Sequence, residues 1–127
     1  MKTRLLNSPE VAPSAGGYSQ SVELSDFDRL LFISGQIPAT KAGEVPDTFE
    51  AQAALAWENL IHQLVAADMA ITNLVKVTIF LASREYNLRN REVRKQYLGE
   101  HAPAQSVIIT GIFDESWLLE IEAIAAA

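Results

Sequence analysis

Cysteine is absent from the 127 residues, which removes several chemistries at once. No disulfide, thiolate nucleophile or sulfur-ligated zinc site can be built. Basic residues are scarce: 10 Lys and Arg stand against 16 Asp and Glu, a formal net charge of −6. Nucleic-acid affinity rests largely on Lys and Arg neutralising phosphates, so RNA and DNA are disfavoured as partners. No stretch approaches the ~18 consecutive apolar residues that span a bilayer, so no membrane association is expected. Residues 1–7 have neither the apolar core nor the small-residue cleavage site of a signal peptide, and a cytoplasmic protein is the expectation. A glycine-rich phosphate loop is missing as well. Gly16-Gly17 is a bare pair with no Lys-Ser/Thr after it, so no nucleotide cofactor is implied.

What is present is a globular composition, 49% apolar and 20% charged, in a length that fits one domain over residues 1–127. Residues 10–20 carry Pro13, Gly16 and Gly17 and read as a loop. Ser21–Ser25 and residues 29–37 read as strands, and the short Asp26-Phe27-Asp28 connection suggests that they form a hairpin. From Asp47 the period changes. Asp47 or Thr48 caps an amphipathic helix with Ala53, Ala56, Trp57, Leu60, Ile61, Leu64 and Ala67 on its apolar face. Residues 74–82 alternate as a strand, with Val75, Val77, Ile79 and Leu81 on one face and Lys76, Thr78 and Phe80 on the other. Residues 85–100 form a charged helix, and residues 105–112 and 117–125 two further strands. The order is β-β-α-β-α-β-β, with an optional strand at residues 1–6. This is an α+β chain whose two helices cover one face of a mixed sheet. The other face mixes Lys76, Thr78, Gln105, Glu120 and Glu122 with Phe80, Val107 and Ile109. Such a half-apolar face either packs against another copy or is solvated.

Taken singly, the polar residues are weak signals. His62 within a helix reads as a surface residue, and His101 has no second ligand at metal-binding spacing, so no metal site is expected. Arg89, Arg91, Arg94 and Lys95 read as one solvated helix face. Ser34 ends a strand without the context of a nucleophile elbow. Glu120 and Glu122 share a strand face, as a carboxylate pair or as ordinary edge-strand glutamates.

In order along the chain, the pieces carry more. Gly16-Gly17-Tyr18-Ser19-Gln20, Phe32-Ile33-Ser34-Gly35-Gln36-Ile37-Pro38 and Asn59-Leu60 are followed by residues 73–81, Pro103-Ala104-Gln105-Ser106 and Glu120-Ile121-Glu122-Ala123-Ile124-Ala125. Together they resemble the RidA/YjgF family of reactive-intermediate deaminases, also called the endoribonuclease L-PSP family, over residues 12–125. The resemblance implies a chorismate-mutase-like α+β fold and a homotrimer in which three sheets form a central barrel, with small-molecule clefts between subunits. It implies hydrolysis of enamines and imines to 2-keto acids and ammonia without a cofactor. Tyr18, Ser34, Asn90 and Glu120 match cleft residues, Glu120 being the group that places or activates the attacking water.

One position departs from the pattern. The family's Pro-Ala-Arg-Ser reads Pro103-Ala104-Gln105-Ser106 here, so the arginine that binds the substrate carboxylate is replaced by Gln105. Val107 stands where a cysteine is frequent, and Gly17 where a proline usually precedes the loop tyrosine. Exchanging a charge-assisted bidentate pair for a neutral hydrogen bond costs about 2–3 kcal/mol, roughly 30- to 150-fold. The cleft, with Gln105, Ser34 and Val107 as ligand-binding residues and Glu120, Tyr18 and Asn90 as catalytic ones, is then expected to favour a neutral or cationic ligand over a 2-imino acid. A deaminase or hydrolase of an enamine, imine or related metabolite is the first reading. A non-catalytic trimer that binds a small metabolite is the second, and an endoribonuclease the third.

Overall fold

The apolar stripe after Asp47 becomes the longest element. Residues 1–127 are all described by the computed structural model, in which helix α1 spans Phe49–Ala66. Thr48 is the cap: its hydroxyl accepts the Ala51 N–H at 3.2 Å, satisfying an N–H that has no partner within the helix. Phe49, Ala53, Ala56, Trp57, Leu60 and Leu64 recur at three- and four-residue steps and are all buried. Two aromatic stacks bind this helix to the second one, α2 (Asn87–Leu98), and to Tyr86 that caps it. Phe49 lies on Tyr86 with centroids 4.7 Å apart, and Trp57 on Tyr97 at 5.8 Å.

Six strands complete the chain: β1 (Lys2–Leu6), β2 (Ser21–Ser25), β3 (Leu30–Gln36), β4 (Leu74–Leu81), β5 (Ala104–Ile109) and β6 (Leu119–Ala126). Four of them form a sheet in the order β3-β6-β4-β5. β4 and β5 run parallel, joined through α2 as a parallel pair requires, and the other pairs are antiparallel. The expected α+β architecture is therefore present: a mixed sheet with α1 packed on β3 and β6 and α2 packed on α1. Its core is continuous from Ile33 through Trp57 and Leu60 to Val77, Ile79, Ile121 and Ala125.

Three local expectations fail. β2 does not form a hairpin with the next strand; it pairs with β1 in a separate two-stranded sheet. Asp26 takes φ 54°, and the N–H groups of Asp28 and Arg29 donate to the Ala127 carbonyl at 2.8 and 2.9 Å. The chain is thus led away from β2 and laid onto β6. Val75 does not share the inner face of β4. A register shift between Leu74 and Lys76 puts Leu74 in the core instead, and a bulge of this kind changes which side chain faces inward. Finally, Gln105, Val107 and Ile109 do not lie on the open sheet face. They pair with Val77, Ile79 and Leu81 in parallel register, so they point to the helix side, and Ser106 and Ile108 take the open side. The open face then carries Leu30, Phe32, Ser34, Lys76, Thr78, Phe80, Ile108, Glu120, Glu122 and Ile124. Phe32 is 71% exposed and Ile108 43%.

Candidate functional site

The singled-out residues fall into two groups on opposite sides of the sheet. One lies along the β5 edge and on the inner face of α2. Ser19 anchors the glycine loop there: its N–H donates to the Pro103 carbonyl at 3.1 Å, its hydroxyl donates to Ala102 at 2.6 Å, and it bridges Ala104. Tyr18 is therefore held, half-buried, next to the start of β5. Asn90 projects from α2 and is fully buried, and neither atom of its amide has a hydrogen-bond partner. The amide oxygen of Gln105 is buried and equally unpartnered. Three of the four such atoms in the molecule belong to these two residues. Unpartnered buried polar atoms in folded chains commonly mark the place of a ligand, a water or a second chain. Val107, 38% exposed, lies further along the same edge.

The second group lies on the open face where β3 meets β6. Glu120 is half-buried and takes part in none of the three ion pairs of the molecule. It rests against Gly35, where any Cβ would run into the Glu120 carboxylate. The two residues Ser34 and Gly35 sit in an irregular stretch of the β3–β6 register, between Ile33 and Gln36, which makes room for that side chain. Glu120 lines a hollow of about 230 Å³ with Phe80, Thr110 and Phe113. Ser34 lines a neighbouring hollow of about 280 Å³ with Lys76, Thr78 and Glu122.

The two groups do not meet within one chain. β4 lies between Gln105 on β5 and Glu120 on β6, a lateral gap of about 10 Å at the usual strand spacing. Their side chains also leave the sheet on opposite faces. Ser34 is farther still, on the opposite edge strand.

One functional candidate was misread from sequence. Arg94 does not belong to the solvated face of α2 with Arg89, Arg91 and Lys95; it is buried, at 7% exposure. It follows Asn90 by four residues and Val93 by one, so helical periodicity already places it on the inner face. Its Nη2 donates to the Gly16 carbonyl at 3.3 Å. Burial pulls its pKa below the usual guanidinium value, the Arg91 charge adds to the effect, and Tyr18 acts the other way. Of the two histidines, His62 is exposed, and His101 places Nε2 2.7 Å from the Leu74 carbonyl.

The Endoribonuclease L-PSP family profile matches residues 9–127, almost the whole chain. The chain belongs to this family. Among relatives in the Endoribonuclease L-PSP, or RidA/YjgF, group is the Escherichia coli protein TdcF, provisionally named a reactive intermediate deaminase. It is 36% identical over 119 residues, 90% of each chain. A RutC family protein of Pyrococcus horikoshii is 36% identical over 112 residues, 87% of this chain and 86% of that one. Among solved structures, the Rid family protein YyfB of Yersinia pestis superposes with a TM-score of 0.86 at 25% identity over the full length of both chains. E. coli TdcF with bound serine gives 0.73 at 32% identity, covering 98% of each. No helix of the chain is long and apolar enough to cross a membrane.

Proposed function

We propose that the chain is a small-molecule hydrolase of the Rid type, acting on an enamine, an imine or a related metabolite in a cleft completed by a second copy of itself. The observation that carries this reading is Glu120, a half-buried carboxylate without an ion-pair partner, set against Gly35 and facing a small hollow. Imine hydrolysis needs a placed water, a base and a proton return path. In the proposed reaction water adds to the C=N carbon as Glu120 takes its proton, and that proton passes on to nitrogen. The carbinolamine then loses its C–N bond, giving a carbonyl and ammonia; an enamine is first protonated at carbon. Tyr18, Asn90, Gln105 and Val107 from the β5 edge and α2 of the neighbouring copy would hold the substrate, and Ser34 would lie beside Glu120.

Gln105 sets the substrate class. Its buried, unpartnered amide oxygen can only accept, so it suits an N–H or O–H donor and not a carboxylate, and the preferred substrate is a neutral or cationic imine. The serine-bound relative supports a ligand of amino-acid size. The exposed Phe32 and Ile108 support association through the open face, three copies closing into a barrel.

The test generates carboxylate-free imines in situ with a flavin amine oxidase, and 2-imino acids with an amino-acid oxidase for comparison, and follows their decay. Wild type is expected to accelerate decay of at least one imine, and Glu120→Ala to lose about 10²-fold or more of that acceleration. No acceleration by wild type or by Gln105→Arg, together with a metabolite that raises Tm, would instead establish a binding protein. That second reading is favoured by the missing arginine alone. Cleavage of single-stranded RNA that Glu120→Ala abolishes would establish the ribonuclease reading, which the net charge of −6 disfavours.

A further inference from the structure

Arg94 is buried along most of its side chain, its unbonded guanidinium nitrogens still reach solvent, and no carboxylate answers it. The ion pairs of the molecule are Lys2–Asp26, Arg4–Glu23 and Arg89–Glu50. Its one hydrogen bond goes to the Gly16 carbonyl, which leaves the other N–H donors of the fork unused. A partly desolvated charge is stabilised by an anionic partner. Arg94 is also not alone. Arg91 and Lys95 stand three residues before it and one after it on the same helix, and all three line one cavity of about 520 Å³. Like charges three and four residues apart, as in Arg91/Arg94 and Arg91/Lys95, repel one another, and an anion between them relieves that repulsion.

The cavity lies between the outer side of the glycine loop, the C-terminal half of α2 and the turn at residues 99–102. Gly17 forms part of its wall at φ 79°, and a Cβ there would come within 2.9 Å of Arg94 Nη2, so the wall fits around the guanidinium. Glu100 also lines the cavity but forms no ion pair. His101 lines it with its Nε2 already engaged at Leu74. The volume suits a small metabolite, and a planar fork flanked by two cations suits an oxyanion. Neither Ser34 nor Glu120 borders this cavity.

We propose that this cavity is a second binding site, distinct from the Glu120 hollow, for a small molecule bearing a carboxylate or phosphate that Arg94 holds bidentately and Arg91 and Lys95 neutralise. Its far wall is the loop that carries Tyr18, so the bound anion stands directly behind the β5-edge half of the candidate cleft.

Titration calorimetry of the full chain at low ionic strength, with inorganic phosphate and with acetate as separate probes, tests it. Saturable binding on the order of millimolar Kd is expected for at least one probe. Tighter phosphate binding assigns the site to phosphate esters, tighter acetate binding to carboxylates. Arg94→Gln is expected to weaken binding about tenfold or more, and the exposed pair Arg91→Gln/Lys95→Gln about three- to tenfold. Glu120→Ala is expected to bind the anion as wild type does, which separates this site from the hydrolytic reading. Absence of saturable binding for both probes overturns the proposal, as does unchanged affinity in the double variant, which decides the matter if Arg94→Gln does not fold. Loss of oligomerisation in Arg94→Gln without anion binding by wild type also overturns it, since Arg94 would then answer a carboxylate of another copy.

Discussion

Gln105 and Gly35 are single residues with opposite kinds of influence. Gln105→Arg would return a charged fork to the β5 edge, and activity on a 2-imino acid is expected to rise roughly 30- to 150-fold, read as kcat/KM against wild type. An unchanged ratio would mean that Gln105 does not face the substrate. Gly35→Ala acts through space: its methyl collides with the Glu120 carboxylate. We expect a lower Tm and lost activity, and expect Gly35→Ala/Glu120→Ala to recover the Tm but not the activity. Glu120 was singled out because the ordered motif Glu120-Ile121-Glu122-Ala123-Ile124-Ala125 begins with it, and Asn90 only through the family resemblance. Arg94 was not, because a helix dense in charge looks solvated on every side. The inward side shows only when Asn90, Val93, Arg94 and Leu98 are placed on one face.

At the level of elements, Gln52 joins what the chain order keeps apart. From α1 its amide nitrogen donates to Pro46 at 2.9 Å and Ser116 at 3.0 Å, and its oxygen accepts the Leu118 N–H at 2.8 Å. The residue is buried, so Gln52→Ala strands three backbone groups and is expected to cost about 2–4 kcal/mol in denaturant unfolding at unchanged m. A loss under ~0.5 kcal/mol would show that solvent replaces those bonds. Elements with a strong local period were readable: α1 runs from its Thr48 cap through five turns of apolar stripe. The partner of each strand was not. β2 lies four residues before β3 and still pairs with β1, because the left-handed turn at Asp26 and the Asp28 and Arg29 bonds to Ala127 lead the chain away from β2 and onto β6.

For the whole molecule, the proposed assembly rests on the open sheet face. Phe32 and Ile108 are exposed in the isolated chain, so charging them should not damage its core. Phe32→Glu/Ile108→Glu is expected to leave the far-ultraviolet circular dichroism unchanged while the sedimenting mass falls to that of one chain, with loss of hydrolysis. A single-chain mass for wild type would refute assembly through this face. The α+β class and the helix-covered side were legible from composition and periodicity. The separation of Gln105 from Glu120 was not, since it depends on strand order, and parity alone had placed them together.

That separation has a genetic consequence. If each cleft takes its β5 edge from one copy and Glu120 from the next, two inactive variants can cure one another. Chains carrying Glu120→Ala still offer a sound β5 edge, and chains altered at Asn90 still offer a sound Glu120. Unfolded together and refolded in equal amounts, they should restore about one quarter of the wild-type sites by random assortment, although each alone has none. A mixture as inactive as its parents would mean that every cleft is furnished by a single chain.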